Sequence, residues 1–410
     1  MRPVPFSDLT PEQQAFVALP TSRHAAAVGA PGSGKTLVLV HRAMRLIEFH
    51  GADPSRILIV TYTNALEAYI RAGLVEWGLP ESMVISYDAL MRRLHQELEG
   101  RSYPRKDNGN DDEHFNGQRD AVNRLLKVEP EISLLPAGPR WDAVLADEAQ
   151  DLGAQDIETL AMIGRHVTVV MDGRQQLYRR GCGAAELLAA LGLRWESATF
   201  LSTFRCSRSV LEVASAVALS AEDRVSLPRT VGRVVEEIPS LRVLATDRDA
   251  EDVYLHQALK ARTSAGHSCV VLLPTRKYAY GLAKALNEAG FDVEGPNVKG
   301  EASVSAIKVM TYHSAKGLSF DSVFLPRLYE SQLREVARHT VRGSLLFVAL
   351  TRATTYLFLS SVIGKQAKEW AEFDRVDTDH LQTVHPGTSG ALAGPPEPPA
   401  AFTPSLDDFI

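Results

Sequence analysis

The chain has 410 residues and a formal net charge of −6, which excludes nucleic-acid binding through bulk positive charge and leaves only a local groove for it. Apolar residues make up 45% and charged residues 23%, the balance of a water-soluble globular protein with room for about two domains. The cysteines Cys182, Cys206 and Cys269 are widely spaced, and no apolar run has the form of a signal peptide or a membrane span. We therefore expect a protein of the reducing cytoplasm.

Short apolar runs alternate with helical patterns along the chain. The helical patterns cover residues 36–51, 250–266 and 276–290, and the last two end at glycine, as helices often do. The runs read, in chain order, HAAAVGA (24–30), RILIVTYT (56–63), WDAVLAD (141–147), HVTVVMD (166–172), LRVLAT (241–246), SCVVLLPT (268–275), IKVMTYH (307–313), DSVFLP (321–326) and TYLFLSS (355–361). This alternation predicts an α/β fold with parallel sheets that helices cover on both faces.

The number of runs is large for a single sheet, so we predict two α/β units joined near residue 198. The first unit covers residues 1–198 and includes a short accessory insert at about 91–138. The second unit covers residues 199–383. Inside the insert, residues 99–118 are polar and turn-rich, which predicts a surface loop.

A glycine-rich segment, GAPGSGKT, follows the first run and opens the first helical stretch, which is the context that a phosphate-binding P-loop requires. Its glycines let backbone N–H groups face phosphate oxygens, and the helix N-terminus adds partial positive charge. Lys35 would reach the β- and γ-phosphates, and Thr36 would offer its hydroxyl to Mg²⁺. A chance glycine-rich turn is the alternative, but the strand, spacing, lysine and threonine together favour nucleotide binding. The predicted nucleotide-binding residues of this loop are Gly29, Ala30, Pro31, Gly32, Ser33, Gly34, Lys35 and Thr36.

The third apolar run leads directly into two adjacent carboxylates, Asp147 and Glu148, within the segment DEAQD. Adjacent acids at the tip of a buried strand repel one another, so a cation is expected beside them. In P-loop enzymes such an aspartate holds Mg²⁺, here together with Thr36, and the neighbouring glutamate can deprotonate the attacking water. The sequence therefore predicts magnesium at this strand end, with a pair of solvated acids as the alternative.

Further motifs follow in a fixed order along the chain. The full set reads LTPEQQAFV (9–17), GAPGSGKT (29–36), VTYTNALEAYI (60–70), ISYDAL (85–90), DEAQD (147–151), VVMDGRQQLYRRG (169–181), LSTFRCS (201–207), IKVMTYHSAKGLSF (307–320) and LLFVALTRATTYLFLS (345–360). In this order the motifs resemble the UvrD/Rep-like branch of superfamily 1 DNA helicases, from Leu9 to about Ser361. The resemblance implies two tandem RecA-like P-loop lobes with ATP and Mg²⁺ bound between them.

The resemblance also assigns residues to the ATP site. It implies Gln13 on the adenine edge, Phe204 against the adenine, Gln175 and Arg205 at the γ-phosphate, Arg352 as a second arginine finger, Gly317 beside the nucleotide, and Lys35 and Glu148 as catalytic residues. A nucleotide held between two lobes needs cations from the second lobe to stabilise charge on the transferring phosphoryl group, and an arginine finger can contribute about 10³–10⁵ in rate. Ordinary surface arginines are the alternative for Arg205 and Arg352.

The same resemblance assigns contacts with single-stranded DNA. The implied residues are Tyr62, Ser86, Tyr87, Tyr178, Thr311 and His313, the last two in a segment that couples the DNA and ATP sites. Sequence-tolerant binding of a single strand needs aromatic platforms, each worth about 1–3 kcal/mol per stacked base. Buried core tyrosines are the alternative for Tyr62, Tyr87 and Tyr178.

Four features depart from the family pattern. Leu37 replaces a common arginine, Ser319 replaces a common glutamate, and the RRG after Tyr178 lacks the second aromatic residue of many relatives. The insert is also too short for a full accessory subdomain, and the second unit leaves no room for a large inserted one. The chain therefore resembles a minimal two-lobe motor.

These features predict an ATP-dependent single-stranded DNA translocase or helicase, with 3′→5′ polarity implied by the resemblance and with efficient unwinding dependent on a partner or on self-association. RNA remains an alternative substrate. A DNA- or partner-regulated ATPase switch subunit of a repair or defence complex, without unwinding activity, is the alternative function. A metabolic P-loop kinase gives no reason for two arginine fingers or for DEAQD.

The C-terminal residues 384–410 are dense in proline, glycine and alanine, which predicts a disordered tail. The tail ends in PSLDDFI and resembles the acidic, apolar-tipped tails that dock into pockets on replication and repair proteins. Leu406–Ile410 are therefore a candidate contact for a protein partner. A disordered end without a partner is the favoured alternative.

Overall fold

The computed structural model describes residues 4–105, 111–128, 139–178, 180–218, 220–232, 237–295, 306–337 and 340–385. Two parallel sheets dominate these residues, so the predicted α/β class with two tandem lobes is confirmed. The predicted disorder of the tail and the predicted contact at Leu406–Ile410 concern residues that, apart from Val384 and His385, lie outside the described ranges.

The first lobe contains a six-stranded sheet in the order β3-β2-β4-β5-β1-β6. Its strands are β1 Ala25–Gly29, β2 Ile57–Thr61, β3 Val84–Ser86, β4 Trp141–Ala146, β5 Gly164–Met171 and β6 Ala198–Phe200. Because β6 pairs with β1, the first sheet extends to Phe200, and the predicted boundary at 198/199 falls inside its last strand.

Helices cover both faces of this sheet. They are α1 Pro11–Val17, α2 Lys35–His50, α3 Asn64–Glu76, α4 Tyr87–Glu99, α5 Asp111–Val128, α6 Ala154–Ile163 and α7 Ala184–Ala190. Successive residues of β4 enter different cores: Val144 joins the core with α4, α6 and α7, and Leu145 joins the core with α1, α2 and α3. This alternation is the expected result of a strand that is buried on both faces.

The second lobe contains a seven-stranded sheet in the order β13-β7-β12-β11-β8-β10-β9. Its strands are β7 Ser240–Ala245, β8 Cys269–Leu273, β9 Val293–Glu294, β10 Ile307–Thr311, β11 Phe320–Leu325, β12 Ala353–Val362 and β13 Leu381–Val384. Its helices are α8 Arg208–Ala216, α9 Ala221–Ser226, α10 Arg248–Ser264, α11 Arg276–Glu288, α12 Glu330–Val336 and α13 Arg342–Leu350.

The prediction of a surface loop over residues 99–118 is wrong for its second half, because helix α5 begins at Asp111. Acidic residues at the start of a helix are favoured by the helix dipole, and Glu113 lies in the first turn of α5. The helix packs on α4 and α6 and makes the insert part of the first lobe.

The two lobes touch through the segment that precedes residue 179. The Leu177 side chain packs in the core of the second lobe, and its carbonyl accepts a hydrogen bond from the Val341 amide at 3.1 Å. Tyr178 forms an isolated antiparallel bridge with Thr340. Separately, none of the described helices combines the length and the apolar character needed to cross a membrane.

Candidate functional site

The P-loop connects β1 to α2 and has the backbone shape that its glycines allow. Gly32 and Gly34 have φ angles of 75° and 80°, which lie in the left-handed region that non-glycine residues avoid. A Cβ atom at Gly32 would lie 2.3 Å from the Cβ of Arg205 and 2.7 Å from the Thr203 hydroxyl. The loop thus lies directly against the LSTFRCS segment, which the sequence assigned to the same site.

Lys35 is buried at the first position of α2, and its ammonium group donates to the carbonyls of Gly29 and Ala30, each at 2.9 Å. Burial lowers the pKa of Lys35, and the nearby carboxylates of Asp172 and Glu148 partly offset that effect. The cation therefore lies inside the curve of the loop, where phosphate oxygens could replace its carbonyl partners.

Asp147 and Glu148 stand at the end of β4, next to the P-loop. The Thr36 hydroxyl donates to a carboxylate oxygen of Asp147, and the second oxygen accepts from the Glu148 amide at 2.8 Å. Hydroxyl and carboxylate oxygens are the protein ligands that Mg²⁺ takes alongside phosphates and water. Thr36 and Asp147 therefore fit the magnesium site that the sequence predicts.

The two carboxylates have opposite electrostatic surroundings. Burial, together with the charge of Glu148, raises the pKa of Asp147 above its usual range. Burial also disfavours ionisation of Glu148, but the positive charges of Lys316, Lys35 and Arg352 outweigh it and lower the pKa of that residue. Glu148 is thus ionised near neutral pH, as a proton acceptor must be. Its φ angle of 52° is uncommon for a non-glycine residue.

Lys316 enters the first lobe from the second and is 1% exposed. Its ammonium group contacts an oxygen of Asp151, lies 3.3 Å from Glu148 and donates to the Gln175 carbonyl at 2.9 Å. Burial alone would lower the pKa of Lys316, but these carboxylates outweigh it and raise that pKa. Asp151, the last acid of DEAQD, therefore forms an ion pair with a lysine of the second lobe.

Gln175 joins the two lobes a second time through its side chain. Its side-chain carbonyl oxygen accepts a hydrogen bond from the Arg352 guanidinium at 2.9 Å, and its side-chain NH2 group donates one to Asp172 at 3.1 Å. Arg352 is 1% exposed, and burial lowers its pKa to about 10, so it stays charged at neutral pH. Two cations of the second lobe, Lys316 and Arg352, thus converge on one residue of the first.

A cavity of about 270 Å³ opens between the lobes at this point. Its walls bring together most of the residues predicted for the ATP site and two of the departing positions. They include Gly32, Gly34, Lys35, Thr36, Leu37, Glu148, Gln175, Phe204, Arg205, Gly317 and Ser319. Phe204 is 39% exposed, which leaves its ring accessible to a planar ligand.

Gln13 lies outside this wall and instead supports the P-loop. Its side-chain amide donates to the Ser33 carbonyl at 2.8 Å, and its oxygen accepts from the Thr10 amide at 2.8 Å. A Cβ atom at Gly34 would lie 2.8 Å from the Gln13 nitrogen. In this conformation Gln13 buttresses the loop, and its role at the adenine edge stays a prediction.

Gly317 closes the cleft against the first lobe. Its φ angle is 83°, and a Cβ atom there would lie 2.9 Å from the side chain of Leu66 in α3. The glycine is thus required both by the turn and by the close approach of the lobes.

Three of the aromatic residues predicted for DNA contact, Tyr62, Tyr178 and His313, lie together at the end of the 175–178 segment away from Gln175. We call this group the aromatic surface. The rings of Tyr62 and Tyr178 are 4.7 Å apart between centroids and inclined by 34°, and the ring of His313 lies 6.0 Å from that of Tyr178. All three side chains are half-buried. The Thr311 hydroxyl, two residues before His313, exchanges a 2.8 Å hydrogen bond with Ser314.

Tyr87 is a correction to the sequence-based assignment. Its side chain is 0% exposed, and its hydroxyl donates to Asp156 at 3.2 Å, so it offers no face to a nucleic-acid strand. As the first residue of α4, it points into the core beneath the sheet rather than outward. The neighbouring Ser86 is also buried, but it lines a surface groove with Asn64 and Arg71.

Sequence reasoning missed two groups of site residues. It did not predict the ion pair between Lys316 and Asp151, although the third acid of DEAQD was a signal for a cation there. It also missed Arg119 of α5, which lies over the Tyr62 ring. A buried arginine in a polar amphipathic helix leaves no local pattern that marks it.

Family models match this chain in two places. Residues 9–91 match the UvrD/REP helicase N-terminal domain, and residues 294–363 match the UvrD-like helicase C-terminal domain. A "Probable DNA helicase" of Mycoplasma pneumoniae is 23% identical over 263 residues, which cover 58% of this chain and 48% of the relative. A "Probable DNA helicase II homolog" of the same organism is 34% identical over 98 residues, 22% of this chain and 13% of that protein.

Among solved structures, the C-terminal domain of a possible DNA helicase from Lactobacillus plantarum WCFS1 aligns at 17% identity with a TM-score of 0.34. The alignment covers 44% of this chain and 99% of that domain.

Two parallel α/β lobes with a P-loop cleft between them define the class of this protein as a two-lobed P-loop nucleotide-binding protein. Both UvrD-like helicase domains match this chain in order, which confirms the resemblance that the motifs carry. The chain spans about half the length of the first of the curated relatives it matches.

Proposed function

We propose that the chain is an ATP-dependent motor that moves along single-stranded DNA in the 3′→5′ direction and acts as a helicase. The observation that carries this proposal is the segment 175–178. At one end Gln175 contacts Arg352 of the second lobe in the nucleotide cleft, and at the other end Tyr178 stacks on Tyr62. A change in the contacts of Gln175 on nucleotide binding would therefore move a ring on which a base can stack.

Residues of both lobes would bind the nucleotide. Lys35 and the amides of the P-loop would hold the β- and γ-phosphates, and Phe204 would lie against the adenine. Mg²⁺, held by Thr36 and Asp147, would supply further charge neutralisation at the phosphates.

Three residues of the cleft would then carry the hydrolytic step. Glu148 is ionised and accepts a proton from the attacking water. Arg205 and Arg352 stabilise the negative charge on the transferring phosphoryl group. Both arginines come from the second lobe, so hydrolysis requires the lobes to be closed.

Single-stranded DNA is the proposed substrate because relatives of this chain are named as probable DNA helicases and because the aromatic surface offers rings on which unpaired bases can stack. Stacking on Tyr62 and Tyr178 is tolerant of sequence, since every base has a π-face. The acidic chain must still neutralise phosphates locally, so we expect binding to weaken steeply as salt increases.

Unwinding of long duplexes is proposed to be weak in the isolated chain. Between α4 and β4 the described residues form one helix, α5, where a larger accessory subdomain would be needed to grip a junction. Duplex stacking resists separation by about 1.4 kcal/mol per base-pair step. A protein partner or self-association would then supply the missing grip.

The short insert also supports a second candidate function, an ATPase switch that regulates a repair or defence complex and does not unwind DNA. ATP hydrolysis measured with and without a single-stranded oligonucleotide separates the two. The motor predicts turnover that rises with DNA, whereas DNA-independent turnover favours the switch. A duplex with a 3′ single-stranded tail, compared with one carrying a 5′ tail, then tests polarity, and preference for the 5′ tail would contradict our proposal.

A further inference from the structure

Arg119, on helix α5 of the short insert, is a buried cation near the aromatic surface. Its side chain is 4% exposed. The guanidinium donates twice to one carboxylate oxygen of Asp88, at 3.0 and 2.8 Å, and lies 3.7 Å from Asp156. With so little exposure, Arg119 cannot itself contact a phosphate of a bound strand.

The guanidinium of Arg119 lies over two aromatic rings. Its central carbon is 5.4 Å from the centroid of Tyr62 and 5.1 Å from that of Tyr87. The Tyr62 ring also lies 4.7 Å from the ring of Tyr178. Tyr87, Arg119, Tyr62 and Tyr178 thus form a contact series that runs from the core of the first lobe to its cleft.

Asp156 contacts one end of this series and the side chain of Arg180, which lies near the other end in sequence. Its carboxylate accepts from the Tyr87 hydroxyl at 3.2 Å and from Arg180 at 3.4 Å, in addition to its approach to Arg119. Arg180 follows Tyr178 by two residues. One buried carboxylate therefore interacts with both Arg119 and Arg180.

We propose that Arg119 is a positioning residue for single-strand binding, which holds the Tyr62 ring in a fixed orientation so that a base can stack on it without a further ordering cost. This inference rests on the proposed function. Cation–π contact with a desolvated guanidinium can restrict a ring that is only half-buried. A contact group held in its bound orientation raises affinity because less conformational freedom is lost on binding. The insert would then serve as a support for the strand site.

The test uses the full chain and a fluorescein-labelled oligo-dT strand. Arg119→Met removes the charge and the planar face, and Arg119→Lys keeps the charge but removes the face. We expect each variant to weaken strand binding by about tenfold, the equivalent of one weakened stacking contact. Arg124→Met is the matched control, because Arg124 is exposed on the same helix. Its affinity for the strand should stay within about twofold of the wild type.

A double-mutant cycle with Tyr62→Leu shows whether Arg119 acts through the ring. In the Tyr62→Leu background, Arg119→Lys should cause no further loss of affinity, because the ring that it positions is gone. Independent, additive losses would overturn the proposal, and so would wild-type affinity in Arg119→Lys alone.

Melting temperature and nucleotide affinity, measured in parallel, report whether each variant folds. If Arg119→Met does not fold, because Asp88 then loses its ion pair and Asp156 loses one of its two, Arg119→Lys decides the question. Failure of the wild type to bind the strand would instead refute the proposed function, and that result is visible before any variant is made.

Discussion

The nucleotide cleft and the aromatic surface lie at opposite ends of one short segment, yet different forces hold them. In the cleft, the buried cations Lys316 and Arg352 contact carboxylates or an amide oxygen of the first lobe. At the aromatic surface, Tyr62 and Tyr178 meet through ring faces, and no described ion pair joins them. Buried ion pairs require one geometry, since a misplaced charge is costly. Stacked rings can exchange one partner for another at little cost.

This difference suits the two proposed tasks of the regions, which are nucleotide hydrolysis in the cleft and base stacking at the aromatic surface. A cleft in which charges must fit closely can distinguish nucleotide states. A stack of rings can release one base and accept the next. The loop from Thr311 to Gly317 touches both regions, because His313 lies beside Tyr178 while Lys316 lies beside Glu148. A shift of this loop would therefore be felt at both ends.

The largest expected effect is a loss of ATP hydrolysis when the nucleotide cleft is changed. Glu148→Gln should retain nucleotide binding but lower turnover by roughly 10²–10⁴, because an amide cannot accept the proton of the attacking water. Hydrolysis and fluorescent-nucleotide binding measure the two properties. Glu158→Gln is the control, since Glu158 pairs with Lys127 on the surface of the first lobe. Near wild-type turnover in Glu148→Gln would show that another group is the base.

The internal strands could be predicted from the sequence and the edge strands could not. The nine apolar runs correspond to the nine internal strands of the two sheets. The strands that were missed are the four edges, β3, β6, β9 and β13, which have two to four residues each. An internal parallel strand is buried on both faces and needs a continuous apolar run, whereas an edge strand has one neighbour and needs much less.

The nucleotide cleft could be predicted from the sequence more completely than the aromatic surface, because the topology of the sheets places most of its residues. Most cleft residues lie on loops at the ends of internal strands, and such loops converge at one edge of each sheet. Their position follows from the topology. The aromatic surface instead depends on which way a side chain points at the start of α4 and on an arginine from the insert. Tyr87 was misassigned and Arg119 was missed, because neither orientation is encoded in local spacing.

A smaller effect is expected when the aromatic surface alone is changed. Tyr178→Ala should weaken binding of a single-stranded oligonucleotide by about tenfold and leave DNA-free ATP hydrolysis largely intact, because stacking and phosphate chemistry occur on different surfaces. Fluorescence anisotropy and a DNA-free ATPase assay measure both quantities. Tyr280→Ala, at a tyrosine 58% exposed on α11, controls for loss of a surface ring. Equal losses in both assays would place Tyr178 in the structural core.

The smallest expected effect tests the reassignment of Tyr87 to the core. Tyr87→Phe keeps the ring against Arg119 and removes only the hydroxyl that donates to Asp156. We expect the free energy of unfolding to fall by about 1 kcal/mol, the typical worth of one buried hydrogen bond, while affinity for single-stranded DNA stays unchanged.

Tyr312→Phe is a matched control, because Tyr312 is equally buried and its hydroxyl has no hydrogen-bond partner among the described residues. That control should be neutral or slightly stabilising, since an unpaired buried hydroxyl carries a desolvation cost. Chemical denaturation and strand-binding titrations measure both variants. Weaker strand binding by Tyr87→Phe with no change in stability would contradict the reassignment of Tyr87 to a purely structural role in the core.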